Sequence, residues 1–477
     1  MGLIIIPLFG ALLISFVKGQ SVRLIALLFT IIQLLVNGWM LLDFIPDGNF
    51  YHTLDYAWLP QLGIHFKIGY DGISMLMAIL TNILMPVIVL STFGKSQSRQ
   101  LYALILLMQG ALIGVFTALD GLLFYVFWEL ALIPIYFICA LWGGENKIRV
   151  TLKFFIYTFI GSLFMLLSLI YMYLQTPDNH SFALSDLYNV QLTAKQALLV
   201  GSGLFLAFAV KMPVFPFHTW QPDTYTVSPT VGTMLLSGIM LKMGVYGAIR
   251  WLIPMVPEAI EYKDYIIILA VMGIVYAAII AIRQKDMKRL FAYSSISHVG
   301  LIAAGVFVFS LESLQGSLMQ MLSHGINIVG LFYVAQIIEE RTGTRDLTLL
   351  GGIAQKSPAL AFYFMIILLG SVALPLTNGF VGEFLLLKGV FSYNWIYGAI
   401  SGLTIILCAV YMFRAYQMSM LGELSNSTMK FKDLNSLEVW ILAYLAALVI
   451  LLGVMPQVVF DLTNGSVNKL ISIVAQM

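Results

Sequence analysis

Lys211 sits in FLAFAVKMPVFPFHTW, where an apolar run meets a lysine, then Pro213 and Pro216, then His218. Lys242 lies in MLLSGIMLKMGVYG and Glu129 in LLFYVFWELALIPIY, the latter with no charge near it in sequence. Glu383 follows an interrupted segment, LPLTNGFVGEFLLLKG, while His298 and His324 lie in SSISHVGLI and MLSHGINIVG. Acids, bases and imidazoles in apolar surroundings are expensive, and a chain of them is what a proton path requires. Lysine suits such a path because a low-dielectric surrounding favours its neutral form, so it can release a proton. A nearby carboxylate restores the charged form. Parting Glu129 from Lys211 would therefore release a proton, and joining them would recapture one. The competing reading is a set of structural ion pairs and helix–helix hydrogen bonds. One buried charge would not decide between the two; charges spread over several segments favour the path.

The elements that must hold these residues are membrane helices. The chain has 477 residues, 60% hydrophobic and only 10% charged, too few charges for a soluble surface of that size. Long apolar runs recur from end to end. They are continuous rather than alternating, which argues against a transmembrane barrel. Residues 3–17 lack the basic leader and cleavage site of a signal peptide and read as a first span. We expect an all-α polytopic protein with 14 spans: 3–17, 22–43, 72–93, 101–118, 121–142, 150–174, 196–217, 227–251, 265–282, 288–309, 313–337, 358–388, 393–416 and 436–456. The 44–71 gap has room for at most a strand or a short interfacial helix. The tail, 457–477, looks amphipathic and suited to the membrane surface.

Basic residues orient this map. Lys18, Lys95, Arg149, Arg283, Arg341 and Lys430 exemplify the larger set, which falls on one side. Lys67, Lys195, Arg250, Lys263, Lys388 and Lys469 fall on the other. The larger set is expected in the cytoplasm and both termini outside. Only Lys211 and Lys242 are assigned to neither side. At about 1.5 Å per residue, Lys211 lies roughly 21 Å into a core about 30 Å thick.

Pro213 and Pro216 break the seventh span, and Pro375, Asn378 and Gly379 interrupt the twelfth. Exposed backbone at membrane depth needs protein interior or water beside it. Broken helices at matching places in two halves point to an ion site. Residues 101–251 and 265–416 would then form two five-helix units related by inversion, since an odd number of spans inverts topology.

The net charge of +2 favours neither nucleic acid nor an acidic partner. Cys139 and Cys408 stand alone in apolar segments and read as inert core residues. No dinucleotide fingerprint, C-x-x-C cluster or soluble domain is present in the sequence, so no nicotinamide, flavin or iron–sulfur site is expected in this chain. A haem held between His298 and His324 would lack the second histidine pair usual in such bundles.

KMPVFPFHTWQPDTYTVSPT, YVFWELALIPIYF, LLSGIMLKMGVYGAIR and RQKDMKRLFAYSSISHVG closely resemble the antiporter-like membrane subunits of respiratory complex I, over nearly the whole chain. The resemblance implies 14 helices, two inverted five-helix repeats and broken helices 7 and 12. It implies a proton-translocating, non-redox subunit of an NADH:quinone oxidoreductase in the bacterial cytoplasmic membrane. The expected partners are other membrane-arm subunits, the paralogous antiporter-like ones among them, and lipids. NADH, FMN, iron–sulfur clusters and quinone would belong to partner subunits. A subunit of a multisubunit sodium/proton antiporter is the alternative. Glu383 in the second broken helix resembles the M type (mitochondrial subunit 4 type), whereas the L and N types look to carry lysine there. The chain also ends soon after the last span, without the long lateral helix of the L type. Residue by residue, Glu129 and Lys211 match the family's ion pair and Lys242 its central lysine. His298 and His324 match the connecting histidines, and Glu383 the distal proton-loading residue. Lys153 and Arg250 match further polar positions. The chain departs at QPDTYTVSP, where the family often reads L-P-D-A-H. Tyr225 replaces that histidine, and its phenol ordinarily titrates far from neutrality, which leaves His218 or water for proton uptake on that side.

Overall fold

The computed structural model describes residues 1–19, 21–94, 97–177, 180–257 and 262–476. Lys95, one of the orienting basic residues, lies outside the described residues. Helices occupy every expected span. Among the described residues twelve are long and apolar enough to cross a membrane, and two apolar helices, Gly2–Phe16 and Pro358–Ser371, are shorter. The chain divides into two compact units. The first comprises Met1–Met212, Ile239–Tyr265 and Asp461–Met477; the second comprises Pro213–Gly238 and Ile266–Phe460.

In the first unit the 44–71 gap holds more than the single strand allowed by its sequence. It folds into an antiparallel hairpin of β1 (Tyr51–Leu59) and β2 (Ile64–Tyr70), paired Leu54 to Ile68, Asp55 to Lys67 and Tyr56 to Phe66. Pro60–Leu62 turns the chain, and Gly63 closes the turn at φ 59°. The hairpin is hard to read because β1 is mostly exposed and shows no apolar alternation, while β2 buries Ile64, Ile68 and Tyr70. Asp120 ties the hairpin to the next element. It accepts from the backbone amides of Leu122 and Leu123 at its own helix start and from His65 N at 3.1 Å. The tail forms a helix, Gln457–Gln476. Ser466 Oγ accepts from Gly72 N at 2.8 Å, which seats the tail on the start of the Gly72–Leu90 helix.

The seventh span ends sooner than its apolar run predicts. Ala194–Lys211 is helical, and the helix resumes as Gln221–Val227. Pro213 and Pro216 cannot supply backbone donors, so Lys211 is the last helical residue. The eighth span, Thr230–Met255, contains two π-turns, Leu236–Met240 and Ala248–Leu252. Lys242 lies between them. Such wide turns occur frequently at functional sites.

In the second unit the twelfth span is interrupted as expected. Pro358–Ser371 and Asn378–Tyr393 flank a segment in which Ala373 and Leu376 adopt left-handed backbone, φ 59° and 73°. Gly379 is required here, because a Cβ would come within 2.0 Å of the Gly370 carbonyl oxygen. Asp286 caps the Met287–Val308 helix through Arg289 N and receives Arg345 Nε at 3.1 Å. Arg289 also reaches Asp223 at 3.1 Å.

Candidate functional site

The first unit gathers Glu129, Lys211, Lys242 and Arg250. Lys211 is buried, with its ammonium 5.3 Å from the centre of the Trp128 ring and no hydrogen-bond partner. Glu129, on Gly121–Trp142, is the carboxylate whose charge acts on it. The expected ion pair is not closed: among the described residues no oxygen of Glu129 lies within bonding range of the Lys211 nitrogen, and Oε1 of Glu129 has no hydrogen-bond partner. Ser162, on Lys147–Gln175, is the carboxylate's polar neighbour. The indole beside the lysine gives the cation a partner while the carboxylate is apart; a cation over an aromatic face is worth about 0.5–2 kcal/mol.

Lys242 is fully buried. Its helix passes directly against the end of the Lys211 helix, and Gly244 permits the approach: a Cβ there would stand 2.7 Å from Met212 N and 2.8 Å from Phe208 O. Arg250 is held differently. Its guanidinium forms a buried ion pair with Asp71, whose other oxygen caps the Gly72–Leu90 helix at Ser74 N, 2.9 Å. Phe50 and Tyr246 flank the guanidinium. Arg250 is thus an anchor between elements. Lys153 is half-buried on the Lys147–Gln175 helix.

The second unit gathers His298, His324 and Glu383. His298 Nδ1 lies 2.9 Å from Glu383 Oε1, and both side chains are almost completely buried. Gln320 Nε2 donates to the same oxygen at 3.1 Å. The rings of His298 and His324 are 6.0 Å apart, centre to centre. Ser323 Oγ donates to the Asn378 carbonyl at 2.9 Å and Asn327 Nδ2 to the Asn378 side chain at 3.1 Å, which fastens the Leu311–Thr342 helix to the broken one. Ser294, His298, Gln320, His324, Asn327 and Ser371 line a cavity with about 10 Å³ for the centre of a water molecule, room for one. Cys408, expected to be inert, lies 3.5 Å from His298 Nε2.

His218 belongs to the second unit. It is buried between Phe215 and Tyr276, at ring distances of 5.6 and 5.2 Å. Tyr225 is fully buried beside Trp220 and Phe332. Among the described residues no group of three His, Cys, Asp or Glu side chains is placed to hold a metal ion.

Residues missed by sequence reasoning include Asp71, Trp128, Gln320 and Asn327. The last two carried a usable signal: Gln320, His324 and Asn327 fall at i, i+4 and i+7, a polar stripe along one helix face.

Residues 118–409 match the family described as "NADH:quinone oxidoreductase/Mrp antiporter, TM". The NADH-quinone oxidoreductase subunit M of Rickettsia conorii is 41% identical, covering 98% of this chain and 97% of its own. The F(420)H(2) dehydrogenase subunit M of Methanosarcina mazei is 36% identical over 100% of this chain and 98% of its own. Among solved structures, a chain of respiratory complex I from Thermus thermophilus superposes with a TM-score of 0.92 at 31% identity, covering 99% of both chains.

Proposed function

The chain belongs to the NADH:quinone oxidoreductase/Mrp antiporter family of transmembrane proteins, and we propose that it is the M-type proton-translocating subunit of a complex I membrane arm. The observation that carries this reading is the pair of buried ionisable clusters, each beside a broken helix, in a chain similar along its whole length to named M subunits. In the first unit, closure and opening of Glu129 against Lys211 would capture and release a proton, with Lys242 receiving it. In the second, His324 and His298 would pass protons to Glu383. Residues 101–251 and 265–416 would be the two inverted repeats that carry these halves.

The chain itself would carry no electrons. NADH, FMN, iron–sulfur clusters and quinone would reside in partner subunits, and paralogous antiporter-like subunits and lipids would flank it. We place it in a bacterial cytoplasmic membrane with both termini outside. Shared faces support the 14-crossing path. In the first unit the hairpin, the 118–120 turn, the Ala183 turn and the tail's Ser466 all adjoin outer ends of helices on that path. In the second unit Asp223, Asp286 and Arg345 adjoin inner ends.

A second electron donor, F(420)H(2), is suggested by the 36% identical relative named as an F(420)H(2) dehydrogenase subunit M. The sodium/proton antiporter alternative rests on the other half of the family's description. The test is to purify the intact complex through a tag on this chain and measure NADH–quinone oxidation and proton uptake in proteoliposomes. NADH-driven acidification that is lost in Lys211→Ala supports the reading. Copurification with membrane subunits alone, together with sodium-driven proton exchange, would replace it with the antiporter.

A further inference from the structure

The Pro358–Ser371 helix stops with its last carbonyl unpaid by backbone. The residue four positions on from Ser371 is Pro375, which has no N–H to give. The donor comes from another element. Cys408 Sγ, on the Trp395–Met420 helix, donates to the Ser371 carbonyl at 3.3 Å. The same sulfur lies 3.5 Å from His298 Nε2. Across the ring, His298 Nδ1 faces Glu383 at 2.9 Å. All four groups are buried, Cys408 to within 1%.

We infer that Cys408 is a positioning residue for His298: it selects the imidazole tautomer from which the Glu383 proton is handled. The reasoning follows the donors. The thiol has one hydrogen, and it is committed to the Ser371 carbonyl, so toward the ring the sulfur can only accept. Nε2 therefore carries its proton. In the neutral ring Nδ1 is then the free base, 2.9 Å from Glu383 Oε1 though not aligned with it for a hydrogen bond in this conformer. Which ring nitrogen is protonated is set by the bond the other one makes. When Glu383 is protonated, its proton can pass from Oε1 to Nδ1, leaving a carboxylate and an imidazolium; the return step restores both neutral groups. With Nε2 unprotonated, the neutral ring would carry its proton on Nδ1, and two donors would face each other whenever Glu383 is protonated. Because the thiol also satisfies the carbonyl at the break, a change in the broken helix would be felt at the imidazole. This inference rests on the proton-relay reading of His298 and Glu383 given above.

The test compares Cys408→Ser and Cys408→Ala in the purified complex, after assembly has been verified. The readouts are proton-to-electron ratio and its pH profile in proteoliposomes. The titratable groups around His298 are Glu383, His324 and Cys408, with Tyr411 beside the Cys408 thiol, and the profile reports on them jointly. Serine keeps a donor–acceptor hydroxyl and is expected to pump near the parent level. Alanine is expected to cut coupled proton transfer roughly five-fold, the effect of one lost hydrogen bond, and to displace the pH profile. Alanine with the parent's ratio and profile overturns the inference. So does an equal loss in both variants with an unmoved profile, which would mark a packing role only. His298→Gln separates the premise from the inference: normal pumping in that variant would refute the relay itself, whatever Cys408 does.

Discussion

Asp71 and Arg250 form an ion pair 179 positions apart in the chain, and both side chains are almost fully buried. Asp71 follows β2 and caps a helix; Arg250 lies in the second π-turn of the eighth span. The Arg250 carbonyl also accepts from the Tyr188 hydroxyl at 2.6 Å. One arginine thereby fixes the start of one membrane helix, the end of another and the short helix Leu184–Tyr188. Removing either partner leaves a charge in a place without water, at a cost of about 3–5 kcal/mol. Arg250→Ala should therefore lower the yield and thermal midpoint of the assembled complex, with catalytic ratios unchanged in whatever assembles. The double variant Asp71→Asn with Arg250→Met, which removes both charges and retains a capping side chain, should recover much of that stability. Detergent-solubilised melting curves measure both, and a double variant no better than the single one would contradict a pairwise origin.

At Lys211 the expectation is functional. Lys211→Ala and Glu129→Gln should each depress proton translocation by roughly 10²-fold, the scale of losing a positioned proton-transfer group. Lys211→Arg should fare no better, since a guanidinium keeps its proton. Trp128→Leu removes the ring that faces the ammonium while the pair is open, and should weaken pumping without abolishing it. Dye-reported acidification driven by NADH oxidation distinguishes these grades. Normal acidification in an assembled Lys211→Ala complex would end the ion-pair mechanism.

How far the sequence reveals this site depends on contrast. Glu129, Lys211, Lys242, His298, His324 and Glu383 stand out because a charged or basic side chain in an apolar run has few alternative explanations. The helix breaks stand out because proline has no backbone donor. Asp71 gives no such contrast: an aspartate before an apolar helix reads as an ordinary cap, which it also is. Cys408 is hidden because a thiol resembles a small apolar residue until its neighbours are known. The π-turns around Lys242 leave no mark in composition, and β1 lacks the alternation that announces a strand. The open distance between Glu129 and Lys211 is a property of the conformer, which no residue pattern encodes.

Membrane topology can be checked at two exposed loop positions. Ser185 lies in the connection before the seventh span and Asn426 in the loop before the last span, Ser436–Val454, and both are exposed. On the 14-crossing path they face opposite sides. Ser185→Cys should react with an impermeant maleimide from outside intact cells, and Asn426→Cys only after permeabilisation. The resident Cys139 and Cys408 are buried and should contribute little background. Reaction of both new cysteines from outside would overturn the path.

Glu383 offers the sharpest distinction between carrying a proton and merely bridging helices. Its Oε1 receives Gln320 Nε2 and faces His298 Nδ1. A bridging role needs only hydrogen-bonding capacity, and Glu383→Gln would then be the mildest change. A relay role needs a group that changes charge. Glu383→Lys supplies one, with the charge states reversed, and the surroundings can adapt to it. Gln320 Oε1 has no hydrogen-bond partner, so a turned amide could offer that oxygen to an ammonium, and a neutral His298 can accept at Nδ1. We therefore expect Glu383→Lys to retain part of the proton-to-electron ratio, and Glu383→Gln and Glu383→Ala to lose the share carried by this subunit while quinone reduction continues. The ratio, measured in proteoliposomes with assembly verified for each variant, decides the ranking. Glutamine near the parent with lysine inactive would mean that Glu383 never holds the moving proton and that the path in the second unit ends at the histidines.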